Sequence, residues 1–312
     1  MRFELTSDQA DFATSLEALL SSADTVAAAR GWADGDHAPG LKLWQRLDEQ
    51  GLTMLATEAS PVEVVIAFEA LGRHAVPGPW VESAAFLPIA LGREVDGVAT
   101  VAIPPHVPYA LDADVAGAVY LVGPDGLVEA EVGDQKASID KTRRLFEVRG
   151  LDTRSPGGSG YSTTQGFEVA ALATAAQLLG LGERVLADTV TYAKQRRQFG
   201  REIGSYQAIK HQLADVRITL DFARPLVHGA ALSLAEPEHT APRAVSAAKV
   251  MCADAAYLAS RTGLQVHGAI GYTQEFDLNI WITKIRALLT AWGTPAFHRA
   301  RILSSLTAST GA

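Results

Sequence analysis

The chain has 312 residues, 48% of them hydrophobic and 20% charged, enough for a large core and two or three domains. A net charge of −8 argues against nucleic acid as a partner, because neutralising phosphates takes a basic surface. A small anionic ligand needs only a few local donors and stays open.

One cysteine, Cys252, leaves no disulfide framework or cysteine-rich metal site within the chain, and its alanine-rich helical surroundings assign it to packing. Met1-Arg2-Phe3-Glu4-Leu5 lacks the charged-then-apolar pattern of a signal segment. No apolar run approaches the ~20 residues of a membrane span, so the expected location is the cytoplasm, with no membrane contact.

Residues 1–95 read as helices. Thr6 or Ser7 caps the first, and Phe12, Leu16, Leu19 and Leu20 recur at spacings of three and four. Leu41 to Gln50 is a second, stopped by Gly51, and Val62 to Leu71 a third, stopped by Gly72. Pro77-Gly78-Pro79 forces a corner before a fourth, Ser83 to Leu91. Residues 96–160 change character. Val98–Ile103, Val115–Val122, Leu127–Ala130 and Leu145–Val148 read as strands, with a Gly123-Pro124-Asp125-Gly126 turn and a closing linker, Ser155 to Gly160.

Residues 161–312 return to helix. Phe167 to Arg196 forms nearly one continuous helix of ~45 Å. Gln207 to Ala235 is the next, kinked at Pro225, followed by a loop from Pro237 to Pro242. Ala244 to Thr262 has small residues suited to close helix packing, and Gly263 to Tyr272 is a glycine-punctuated turn. Trp281–Leu289 and Pro295–Leu306 are the last helices, split at Gly293. The order is α, then β, then a four-helix-like bundle.

One stretch carries most of the functional information. Tyr192 to Gln207 holds R-x-x-F-G (Arg196, Phe199, Gly200) followed by I-x-x-Y-Q (Ile203, Tyr206, Gln207). The spacing puts Arg196 and Phe199 on one helix face and makes Gly200 the left-handed turn that ends the helix. Alone, an arginine at a helix end serves the helix dipole or a surface ion pair, and a phenylalanine serves the core. A second run, Gln265-Val266-His267-Gly268-Ala269-Ile270-Gly271-Tyr272, is rich in small residues that let backbone N–H groups approach a phosphate. His267 within it reads as a packed or hydrogen-bonded histidine rather than a catalyst. Metal hydrolysis and nucleophilic triads have little support, since the histidines lack H-x-x-x-H spacing and no serine sits in G-x-S-x-G.

With these two runs and the α–β–α order, the chain resembles the acyl-CoA dehydrogenase family. The resemblance implies a mainly α fold with an N-terminal helical domain (1–95), a reduced middle β domain (96–160) and a C-terminal four-helix bundle (161–312). It implies FAD as cofactor and α,β-dehydrogenation of an acyl-CoA thioester. In that reaction a carboxylate takes the α-proton and the β-carbon gives hydride to the flavin. It places Arg196 on the pyrophosphate of a neighbouring subunit's FAD. Phe199, Ile203 and Tyr206 are expected to line the adenosine side, Gly200 and Gln207 to belong to the same cofactor site, and Gln265, Gly268 and Ala269 to lie along the same dinucleotide.

Three departures from the family pattern qualify this. The family's catalytic glutamate precedes a Gly-Thr pair, and here Trp292 precedes Gly293-Thr294; an indole cannot abstract a proton. The alternative base position, early in the long helix, holds Ala170, and Glu168 two residues away points about 200° elsewhere on a helix. The family's Thr-Glu-x-x-x-Gly-Ser and Trp-x-Thr segments, which hold the flavin ring, are missing from residues 96–152. These losses resemble the shortened subunit of a heteromeric (α2β2) acyl-CoA dehydrogenase of steroid catabolism. There a full-length partner carries the catalytic carboxylate, and this chain completes the FAD site in trans. The alternatives are a self-sufficient enzyme using Glu168 and a helical scaffold without flavin.

Overall fold

The structure, a computed structural model, describes residues 4–124, 126–151, 162–236, 239–273 and 276–310. The expected linker Ser155–Gly160 lies outside these residues, as does the start of the expected 237–242 loop.

Local chemistry accounts for the first helices. Helix α1 (Ser7–Ser22) starts with a reciprocal cap: the Gln9 N–H donates to Thr6 Oγ1 at 3.3 Å, and the Thr6 N–H donates to Gln9 Oε1 at 3.0 Å. Helix α2 (Thr25–Asp34) is not among the sequence-predicted elements, because its buried face is made of Ala28, Ala29 and Trp32 and offers little hydrophobic period. Gly35, in the left-handed region at φ 89°, ends it. Helix α3 (Ala38–Asp48) begins three residues before the expected Leu41, at Ala38-Pro39, since proline suits a first helical turn. After the single-turn helix α4 (Leu55–Glu58), α5 (Pro61–Arg73) uses Ser60 as cap and Pro61 as its first residue. The corner at 77–79 turns on Gly78, φ 106°, and Trp44 stacked on Trp80 at 3.7 Å pins it. The chain then runs through π-helical turns, Val81–Phe86, into α6 (Leu87–Leu91).

Five strands form one sheet: β1 (Ala99–Ala102), β2 (Ala110–Leu111), β3 (Ala118–Gly123), β4 (Gly126–Lys136) and β5 (Leu145–Gly150). Their order is β1-β3-β4-β5-β2. Strands β1 and β3 are parallel, with Val101 opposite Tyr120, and the other pairs are antiparallel, with Ala110 opposite Phe146. The sheet meets the helices through a buried charge cluster: Lys284 Nζ donates to Thr142 Oγ1 at 2.7 Å and pairs with Asp140 at 3.3 Å.

Helices α7 (Thr163–Gln195), α8 (Gln207–Ala235), α9 (Ala241–His267), α10 (Leu278–Leu288) and α11 (Pro295–Thr310) make the bundle. Helix α7 corrects one expectation: it is long and apolar enough to cross a membrane by length and composition, yet 89% of its most apolar window is buried inside the protein. It is a core helix, and α5 crosses it at backbone contact. A Cβ on Gly180 would lie 2.0 Å from the Glu69 carbonyl oxygen, and one on Gly72 would lie 2.2 Å from that of Gln177. Helix α8 continues through Pro225. Helix α9 runs past the expected Thr262 end because Gly263 packs inside the bundle; a Cβ there would stand 2.9 Å from Val185. One hydrophobic cluster, from Leu16 through Phe86 and Leu179 to Trp292, joins the N-terminal helices to the bundle.

Candidate cofactor-binding surface

Helix α7 ends at Gln195, one residue short of the motif arginine. Arg196 turns into extended backbone, φ −72° and ψ 123°, while its N–H still donates to Tyr192 O at 2.8 Å. Its carbonyl accepts from Ile203 N–H at 2.8 Å. Between those two residues lies a tight hairpin, β6 (Arg197–Gln198) against β7 (Arg201–Glu202). Phe199 and Gly200 are its two-residue turn, at φ 52° and 83°. Two consecutive left-handed residues match the twist of a hairpin, so Gly200 serves the hairpin turn and not a helix stop. The expectation that Arg196 and Phe199 share a helix face is therefore wrong. A bulky residue before glycine hid the turn, since asparagine or aspartate is the usual first member.

The hairpin presents its side chains unevenly. The Arg197 guanidinium lies 3.6 Å from the Glu202 carboxylate, and that of Arg201 lies 4.0 Å over the Tyr206 ring. Tyr206 Oη donates to Gln198 O at 3.3 Å. Arg196 is exposed, and among the described residues its guanidinium has no hydrogen-bond or ion-pair partner. Phe199 is 93% exposed in a backbone conformation that costs an L-residue ~1–2 kcal/mol. Gly204 seats the hairpin on the end of α7, since a Cβ there would stand 2.9 Å from Ala193 O. Ile203 is half-buried behind the hairpin, and Gln207 opens α8 at the surface.

The second run lies at the end of α9. Gln265, Gly268, Ala269 and Ile270 are exposed. Gly268 adopts φ 65° and ψ −141°, a region that only glycine enters readily, with open space where a Cβ would be. His267 is the joint between the two runs. Its ring stacks on Tyr192 of α7 at 4.2 Å and sits 5.1 Å from Phe276. Its Nδ1–H donates to Gly263 O at 2.8 Å, and burial pushes its pKa below the usual imidazole value. A neutral, stacked imidazole thus ties the C-terminal ends of α7 and α9 together. A guanidinium with no partner among the described residues, an exposed phenylalanine, a half-buried tyrosine and an open glycine backbone suit the pyrophosphate and adenosine of a dinucleotide.

The two base positions are in the core. Ala170 is 0% exposed. Trp292 is 1% exposed, with Phe86 at 5.2 Å and Phe167 at 6.0 Å. Its carbonyl accepts from His298 Nε2–H at 3.0 Å, and Ser246 Oγ donates to the other ring nitrogen at 3.1 Å. Burial lowers the His298 pKa to about 4, so this imidazole is neutral. Glu168 is 4% exposed and ion-paired with Arg301 of α11. Two buried groups escaped sequence reasoning, and a lone charge in an apolar run was the one available signal for either. Lys249 Nζ donates to Leu288 O at 3.1 Å and Leu289 O at 3.3 Å, holding the end of α10, and burial lowers its pKa to about 7. Glu82, in the π-helical turns, is 1% exposed beside the Trp292 indole, and burial raises its pKa, favouring the neutral acid.

Residues 157–307 match the acyl-CoA dehydrogenase C-terminal domain, a span that contains both runs. Over 246 residues the chain is 29% identical to acyl-CoA dehydrogenase IpdE2 of Mycolicibacterium smegmatis, covering 75% of each protein. It is 35% identical over 152 residues to acyl-CoA dehydrogenase IpdE2 of Mycobacterium tuberculosis, a match that spans 43% of that relative's length. The fold superposes on butyryl-CoA dehydrogenase of Megasphaera elsdenii with a TM-score of 0.82 at 19% identity, covering 98% of this chain and 100% of that one. It superposes on the ChsE4-ChsE5 complex of Mycobacterium tuberculosis with a TM-score of 0.81 at 21% identity, covering 98% and 99%. Residues 157–307 are thus similar in sequence to the acyl-CoA dehydrogenase C-terminal domain, and the whole described chain shares the fold of these solved structures.

Proposed function

We propose that this chain is a subunit of a heteromeric FAD-dependent acyl-CoA dehydrogenase and completes the FAD site of a full-length partner subunit in trans. The carrying observation is the contrast between its two surfaces. Arg196 and Phe199 stand exposed, with no side-chain hydrogen bond or ion pair among the described residues, while Trp292 and Ala170 fill the expected base positions inside the core. FAD supplies the hydride acceptor for α,β-dehydrogenation of an acyl-CoA thioester. Arg196 neutralises its pyrophosphate by bidentate bonding, and Phe199, Ile203 and Tyr206 flank the adenosine. Gly200 and Gln207 shape that flank, and Gln265, Gly268 and Ala269 bring main chain and amide to the same dinucleotide. The proton is taken by a carboxylate of the partner. The likenesses to IpdE2 and to a two-component complex support this reading, and a bulky, steroid-derived acyl group is the proposed substrate. The ion pair with Arg301 leaves Glu168 badly placed to act as a base.

Co-expression with a full-length partner should give a yellow complex, and Arg196→Ala should weaken its affinity for FAD about tenfold or more, read as FAD lost on dilution, as loss of a charge-assisted bond implies. Unchanged affinity would refute the trans contact. Oxidation of short, unbranched acyl-CoA alone would refute the bulky substrate.

A further inference from the structure

Two helix ends carry the proposed FAD surface, and His267 is packed between them. Its ring lies 4.2 Å from that of Tyr192, close to parallel at 26°. Tyr192 stands one turn before Arg196, whose N–H donates to its carbonyl. On α9 the histidine is followed at once by Gly268 and Ala269. The turn Gly268–Tyr272 folds back on it, so that a Cβ on Gly271 would stand 3.2 Å from the His267 Cβ. The residue is 5% exposed, with Phe276 a further apolar neighbour at 5.1 Å.

The two ring nitrogens are unequal. Nδ1–H is committed to Gly263 O at 2.8 Å, while Nε2 is buried and has no hydrogen-bond partner among the described residues. A neutral ring fits this setting. A protonated ring would bury a second N–H and a full charge without an acceptor. The charged groups nearby give no relief. Asp188, one turn back from Tyr192 on α7, holds Arg184 at 2.8 Å, and Asp277, next to Phe276, holds Arg30 at 2.6 Å. Lys194 on α7 and Arg261 on α9 are exposed, and the turn Gly268–Tyr272 has no charged residue. Burial keeps the pKa of the ring below the ordinary imidazole value, against the opposing pull of the Gly263 bond and the Asp188 charge.

We propose that His267 is a positioning residue: its neutral, stacked ring sets the spacing of the two FAD-facing runs, and taking up a proton drives it off Tyr192 and loosens both runs from the shared cofactor. The inference rests on the trans-FAD reading and adds a pH dependence to that same site. The attraction of a cation for the Tyr192 face is smaller than the cost of burying an unpaired charge, so the protonated ring moves toward water. The coupling is reciprocal: FAD holds the ring in its neutral form, and binding FAD in the acid range releases a proton.

The test is the FAD affinity of the complex co-expressed with a full-length partner, read from FAD lost on dilution between pH ~8 and pH ~5. It is measured for the parent, His267→Ala, His267→Phe and Arg196→Ala. Arginine keeps its charge over this range, so its own contact does not titrate. The parent should lose affinity as pH falls below the imidazole value of 6.5, by up to ~10-fold per pH unit for one linked proton. His267→Ala should bind FAD at least ~3-fold more weakly than the parent at pH ~8, as loss of an aromatic pair implies. His267→Phe should restore that affinity, because the stack is kept, and flatten the pH profile, because phenylalanine takes no proton. A role confined to stability would leave the parent and His267→Phe on one pH profile. That result, with Arg196→Ala still weakening FAD, overturns the inference and leaves the trans contact standing. Unchanged affinity in Arg196→Ala overturns both.

Discussion

Replacing Trp292 tests whether the family's base position has become part of the core. The side chain is 1% exposed, and a buried aromatic of this kind covers ~150–250 Å². At ~25 cal/mol per Å², removing it costs ~4–6 kcal/mol, in line with the ~3–5 kcal/mol of tryptophan-to-alanine cavities. The backbone adds a second signature. Trp292 has φ 57°, where an L-residue is strained by ~1–2 kcal/mol and glycine is not. Alanine's advantage in the unfolded chain is ~0.4–1 kcal/mol and works the other way. Trp292→Gly is therefore expected to be more stable than Trp292→Ala by up to ~1.6 kcal/mol, the reverse of the order found in ordinary helix interiors. Urea denaturation followed by circular dichroism measures both, with the slope checked for constancy. An alanine variant within ~1 kcal/mol of the parent, or an alanine variant more stable than the glycine one, refutes the reasoning. Trp292→Glu should not restore proton abstraction. It would place a second carboxylate beside buried Glu82, and its midpoint should fall below that of Trp292→Ala.

Gly180→Ala should lower the melting temperature sharply, since its Cβ would fall 2.0 Å from a backbone oxygen of α5; overpacking of this kind costs ~1–3 kcal/mol or more, and an unchanged melting temperature would refute the close crossing. Asp112, fully buried at φ 51°, has its pKa raised from 3.8 to about 6 by burial. Its contribution to stability is fully present below pH 3.8 and is lost as pH rises through about 6. Asparagine tolerates the left-handed backbone and keeps an oxygen for the Arg144 N–H, which donates to Asp112 Oδ1 at 3.0 Å. Asp112→Asn should thus gain on the parent at pH ~8 relative to pH ~5 by ~1.5 kcal/mol, because about half of the ~3 kcal/mol for a shift of about two units is already lost by pH 5. An equal difference at both pH values would count against it.

Much of the fold could be read from local signals, because those signals act within a few residues. The caps at Thr6 and Ser60, the corner at 77–79 and the hydrophobic periods of α1, α3 and α5 belong to this class. The functional runs were also visible as sequence, but their shape was not. Arg196 was legible as the motif arginine, while its position at the base of a hairpin depended on Phe199 accepting a left-handed conformation that its residue type does not advertise. Helix α2 was hidden because alanine packs closely without marking a period.

By itself, the sequence determined the α–β–α order, the two motif runs proposed to meet FAD, and the absence of a carboxylate at positions 170 and 292. The tertiary structure decided what those residues do. It joined the two runs by stacking Tyr192 on His267, sealed Trp292 among Phe86, Phe167 and His298, and paired Glu168 with Arg301 across 133 positions of chain. Residues so far apart in the chain meet only when the helices pack, and burial rather than residue type then sets which charges are free.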